Sequence, residues 1–107
     1  TNNQITFAST RGGTTKSINL TTSPTIFFQI GITEASSANE MICYYAGAQT
    51  GSTQTGLGTW SGTPAATSTL IGAATTVPAT PWNGFLAHCA VLNRAATPTE
   101  MAQAATI

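Results

Sequence analysis

The run Pro81-Trp82-Asn83-Gly84-Phe85-Leu86-Ala87-His88-Cys89-Ala90-Val91-Leu92-Asn93-Arg94-Ala95-Ala96-Thr97-Pro98-Thr99-Glu100-Met101 joins an apolar stretch to a short helix with strong start signals. Thr97 reads as the N-cap, its hydroxyl accepting from an orphan backbone N–H. Pro98 takes the first helical position, where its missing N–H costs nothing. Glu100, three residues after the cap, can reach back and complete a capping box. The helix is expected to run on through Ala102, Gln103, Ala104 and Ala105, with Ala96 and Met101 as a weak hydrophobic staple. Residues 84–92 are apolar and bulky, as in a buried strand. Asn93 and Arg94 mark the turn between the two elements. Arg94 is placed to hydrogen-bond loop carbonyls or to pair with Glu100.

Further strands are expected upstream. Residues 4–8 and 16–21 alternate apolar and polar side chains, with Ile18 and Leu20 on one face and a turn at Arg11-Gly12-Gly13 between them. After Pro24, residues 25–33 predict the firmest strand, with Phe28, Ile30 and Ile32 along one face. Residues 34–40 form a polar connection, and residues 41–46 return as a strand ending at Gly47. Residues 49–67 are Gly, Thr, Ser and Pro with only Leu57 and Trp60 as bulky members, which predicts a long loop. Residues 68–72 predict a short strand, and residues 73–81 another loop.

A chain of 107 residues is expected to form one domain, residues 1–107. Only 6% of residues are charged and the formal net charge is zero. A soluble domain usually carries roughly 25–35% charged residues on its surface. Thr and Ser, more than a quarter of the chain, supply polarity without charge. Thr also favours strands because it is β-branched. With Arg11, Lys16 and Arg94 as the only cations, a nucleic-acid footprint is excluded, because phosphate binding needs clustered positive charge. No apolar run approaches the ~20 residues of a membrane span, so no membrane insertion is expected. No basic region followed by an apolar stretch opens the chain as a secretion signal would. Lacking an initiating Met, Thr1 is expected to begin a processed chain, an excised domain or part of something longer.

Cys43 and Cys89 allow one disulfide, worth roughly 3–4 kcal/mol in the chain-entropy model. Their apolar settings favour the alternative of two small buried hydrophobes in strand interiors. His88, the lone histidine, reads as a packed core residue. Trp60 in the long loop is the better ligand-binding candidate, since exposed aromatics stack on sugar rings and anchor interfaces. Tyr44 and Tyr45 are adjacent, so one faces the core and the other faces outward. Tyr45 is the second binding candidate. Trp82 reads as a packing residue.

Taken in order, Tyr44-Tyr45-Ala46-Gly47, Leu70-Ile71-Gly72 and the closing Asn83-to-Glu100 pattern resemble the laminin-G-like, concanavalin-A-like jelly roll. The resemblance covers roughly residues 25–107, and members run longer, so the chain looks like the C-terminal part of a longer domain. It implies an all-β, two-sheet antiparallel jelly-roll-like sandwich with one short C-terminal helix. It also implies a non-enzymatic binding module of an extracellular or virion-surface assembly, with a glycan or neighbouring protein subunits as partner. The alternative is a purely structural decoration or assembly protein. Calcium sites of the family lean on carboxylates, and this chain has no Asp and only Glu34, Glu40 and Glu100. No metal or other cofactor is therefore expected. Glycoside hydrolysis needs a carboxylate pair. Glu100 is committed to the helix cap, while Glu34 and Glu40 flank one turn, so an enzyme is not expected.

Overall fold

Gly12 and Gly13 hold φ of 52° and 82°, and Ala46 and Gly47 hold 49° and 82°. Two successive positive φ values make the tight turns whose twist matches paired strands. The first turn joins β1 (Gln4–Arg11) to β2 (Thr14–Thr21), and the second joins β4 (Glu40–Tyr45) to β5 (Ala48–Thr55). Between these hairpins, β3 (Ile30–Ala35) pairs with β4, giving one sheet β1-β2 and a second of order β3-β4-β5. All pairings are antiparallel. The helix α1 (Pro98–Ala104) follows near the C-terminus. The architecture is all-β with one short C-terminal helix. The computed structural model describes residues 4–22, 26–60, 70–71 and 83–106. Its contacts form two compact units: residues 1–60 with 92–107, and residues 61–91.

Within the first unit, register decides what is buried. Ile5 pairs with Leu20, Phe7 with Ile18, Ser9 with Lys16 and Arg11 with Thr14. Directly paired residues share a face, so one face of this hairpin grades from apolar to polar along its length. Phe7 and Ile18 meet Met41, Cys43 and Leu57 in the core, with Ile5 and Leu20 packed against it. Met41 and Cys43 are fully buried. The strand β5 bends to admit this packing. Its pairing with β4 slips between Met41 and Cys43, and Gly51 there has φ 68°. A Cβ on Gly51 would stand 2.6 Å from Ile18 Cγ2.

The other face of the second sheet carries the helix. Gly31 pairs with the buried Tyr44, and a Cβ on Gly31 would overlap Met101 Cε. The hydrophobic stripe of α1 is thus a single buried residue, Met101, seated over a glycine. Gly47 makes room for the next turn, since a Cβ there would lie 2.9 Å from Ala105 Cβ and 3.1 Å from Ala102 Cα. Gln29 clamps the same turn twice. Its carbonyl accepts from Ala46 N at 2.8 Å, and its side-chain Oε1 accepts from Gly47 N at 2.9 Å.

The structure corrects several expectations. The strand predicted over 25–33 begins only at Ile30, because β4 ends at Tyr45; beyond the single bond from Ala46 N to the Gln29 carbonyl, residues 26–29 have no ladder partner among the described residues. Ile26 and Phe27 are 80% and 70% exposed there, while residue 25 lies outside the described residues. The predicted loop over 49–67 takes in all of β5 but its first residue, Ala48, a strand that the Gly- and Ser-rich composition conceals. Residues 61–67 lie outside the described residues. Residues 84–92 form no strand. They have no ladder partner among the described residues, and no burial supports extended backbone, with Phe85 at 88% and Val91 at 87% exposed. His88 and Cys89 are therefore exposed rather than packed. Of the predicted 68–72 strand only Leu70 and Ile71 are described, and neither is in a strand; Trp82 lies outside the described residues.

Candidate functional site

Past β5 the chain folds back over the first hairpin. Leu57 is buried, and its N–H donates to Asn39 Oδ1 at 2.9 Å. Gly58, at φ 85°, passes so close to Arg11 that a Cβ would sit 2.5 Å from the Arg11 carbonyl oxygen. Thr59 runs beside Gly12. This close passage brings Arg11, Ser36, Asn39, Gly58, Thr59 and Trp60 around one open cleft of about 450 Å³. Ser36 and Asn39 come from the β3–β4 turn, closed by Asn39 N–H donating to the Ser36 carbonyl at 3.3 Å. Asn39 takes φ 53°, a left-handed conformation that Asn tolerates better than most residues.

Arg11 is the one buried residue of this lining. Its Nη2 donates to the Glu34 carboxylate, an ion pair that ties the end of β1 to β3. The guanidinium carbon lies 5.5 Å from the centroid of the Trp60 ring, within cation–π range. Arg11 Nε is buried and has no hydrogen-bond partner among the described residues. Trp60 itself is 52% exposed, so much of its aromatic surface faces solvent.

Tyr45 stands at the other end of β4, roughly 20 Å from Asn39 at ~3.3 Å per residue. It packs at 5.4 Å against the Phe28 ring, and its hydroxyl accepts from Thr22 Oγ1 at 3.3 Å. The structure therefore separates the two predicted binding residues and gathers Trp60 with Arg11 and Asn39 instead. Alternation along β1 was a signal for Arg11, which follows Ile5, Phe7 and Ser9 on the inward face.

The helix start matches its sequence reading closely. Glu100 N–H donates to Thr97 Oγ1 at 3.2 Å, Thr97 N–H donates to Glu100 Oε2 at 2.8 Å, and Pro98 opens the helix. Arg94 makes two bonds to the same carboxylate, at 2.8 and 2.5 Å, and a third to the Ala95 carbonyl at 3.3 Å. The Arg94 hydrogen bond, then that from the Thr97 backbone, lowers the Glu100 pKa from 4.5 to about 2. A depressed carboxylate stabilises the fold above its unfolded value and loses that effect as pH falls through its folded value. The cap should therefore hold above pH ~4.5 and fail as pH approaches ~2. An NMR titration of Glu100 checks this, and Arg94→Gln should return the midpoint towards the ordinary carboxylate range.

Cys43 and Cys89 are both free thiols, the first buried and the second exposed. Burial, with the Glu34 charge as a lesser cause, pushes the Cys43 thiol up to about 11, which leaves it inert at neutral pH. Among the described residues no three His, Cys, Asp or Glu side chains gather as metal ligands, and no helix is long and apolar enough to cross a membrane. No family model matches this chain, and no curated protein or solved structure matches it either.

Proposed function

We propose that this protein is a non-enzymatic glycan-binding module of an extracellular or virion-surface assembly. The carrying observation is the cleft in which a half-exposed Trp60 stands beside Arg11, Asn39, Ser36 and Thr59. Sugars present an apolar C–H face for an aromatic ring and hydroxyls for amides and charged groups at its edge. Low charge and a Thr-rich composition support placement in an assembly, where neighbours or ligands cover neutral surface. The laminin-G-like, concanavalin-A-like jelly roll belongs to the same proposal. The sheets meeting over a shared core and the Thr97-Pro98-Glu100 helix start support it. Trp60→Ala should weaken binding on a glycan array tenfold or more, about 1.4 kcal/mol, with the circular dichroism spectrum unchanged. Unaltered binding would remove Trp60 from the site.

The second reading is a structural subunit packed against copies of itself. The outer edge of β3, unpaired among the described residues, favours it. Ile30 and Ile32 are 46% and 43% exposed there, and Ile26 and Phe27 precede them in the open. An uncovered apolar edge invites strand pairing, and a lysine on it is a common block. If copies join along β3, Ile32→Lys should shift light scattering from an oligomer to the monomer mass. A wild-type protein already monomeric at high concentration removes this reading.

A further inference from the structure

The hydrogen-bonding groups of the Trp60 cleft are unequally divided between donors and acceptors. Asn39 has one of the two lone pairs of its acceptor committed, because Oδ1 takes the Leu57 N–H at 2.9 Å. Its Nδ2 amide is a pure donor, with two N–H groups and no partner among the described residues. Arg11 can only donate. One of its nitrogens, Nη2, is engaged by Glu34, and the buried Nε has no partner among the described residues. Its side chain is only 5% exposed, so these N–H groups have little water to fall back on. Among the described residues no carboxylate lines the cleft, and Glu34 is committed to Arg11. Ser36 and Thr59 have hydroxyls that serve either way.

Such a lining suits some sugars better than others. Every hydroxyl of a neutral sugar brings a hydrogen that needs an acceptor, and a buried donor left unpaired costs more than a formed bond gains. A carboxylate brings two oxygens that only accept. Its bonds from guanidinium and amide N–H are charge-assisted and about twice as strong as neutral ones. We infer that the cleft takes a carboxylate-bearing sugar, its acid group received by Arg11 and Asn39 and its ring laid on Trp60. The Arg11–Glu34 pair carries no net charge, so the selectivity lies in donor geometry rather than in a broad positive field. This inference rests on the glycan-binding reading of the same cleft.

The test is an NMR titration of the full chain, following the Trp60 indole N–H and the Asn39 side-chain amide. The probes are glucose, sodium glucuronate and sodium N-acetylneuraminate. At least one of the two acids should bind about tenfold or more tightly than glucose, and comparing them separates a uronic acid from a nonulosonic acid as its source. Asn39→Asp keeps an oxygen for the Leu57 N–H and tolerates the same backbone conformation, but replaces the amide donor with a like charge. It should weaken the preferred acid tenfold or more and bring it below glucose. Equal affinity for glucose and both acids, or an acid affinity unchanged in Asn39→Asp, overturns the inference and leaves the glycan reading standing. If no sugar shifts either signal, the glycan reading itself falls and this inference falls with it.

Discussion

Gly47→Ala should cost about 2–4 kcal/mol, combining left-handed backbone strain with an overpacked contact. The residue holds φ 82°, and its new methyl would meet Ala102 Cα at 3.1 Å and Ala105 Cβ at 2.9 Å. Neither atom can swing aside, since both are fixed to the helix backbone. The helix must lift or the turn must open. Gly13 is the built-in control. It has the same φ of 82°, yet a Cβ there meets nothing within 4 Å. Gly13→Ala therefore reports the backbone strain alone, and the difference between the two variants reports the docking of α1. By thermal melting, Gly47→Ala should lower Tm by on the order of 10 °C, with Gly13→Ala falling well short of that. Equal losses in the two variants would show that α1 does not bear on the turn. Ala105→Gly in the Gly47→Ala background should recover part of the loss.

Glu34→Ala should destabilise the fold by about 3 kcal/mol, because it leaves a buried guanidinium without its counter-charge. The asymmetry of the pair gives the prediction its edge. The Arg11 side chain is 5% exposed and that of Glu34 is 25% exposed. Removing Arg11, as in Arg11→Met, leaves a carboxylate that still reaches water and keeps an apolar stem beside Trp60, so its cost should be smaller. The double variant Arg11→Met with Glu34→Ala should recover much of the Glu34→Ala loss, since neither charge is then stranded. Urea denaturation at equal m-values measures all three. A Glu34→Ala loss under about 0.5 kcal/mol, the range of ordinary surface changes, would mean that Arg11 finds water or another partner.

The helix start was legible because its signals are local. Thr97, Pro98 and Glu100 act within one turn, and Arg94 reaches the same carboxylate from just upstream. The β1–β2 hairpin was legible for a similar reason, with alternation on both sides of Gly12-Gly13. Ile26, Phe27 and residues 84–92 misled because apolar composition shows affinity for burial without showing a partner. A strand exists only where another backbone meets it, and β4 stops at Tyr45. The strand β5 hid for the opposite reason. Its Gln, Thr, Ser and Gly side chains look like loop, but the Ala46-Gly47 turn delivers them to β4. Trp60 was visible as a lone aromatic in a polar stretch. The residues around it were not, because Asn39 and Arg11 reach the cleft only through the fold-back at Leu57 and Gly58.

The Ala46-Gly47 turn, gripped by Gln29 and overlain by Ala102 and Ala105, fixes an order of assembly. The hairpins need only short loops and can form in microseconds. The helix must instead find a site that lies about half the chain away in sequence, and closing so long a loop delays its reward. It is the last piece to arrive and, on the reverse path, the first to leave. Its amide protons should exchange through this partial opening while Met41 and Cys43 stay enclosed, so the C-terminal turn reports a lower protection free energy than the strands beneath it.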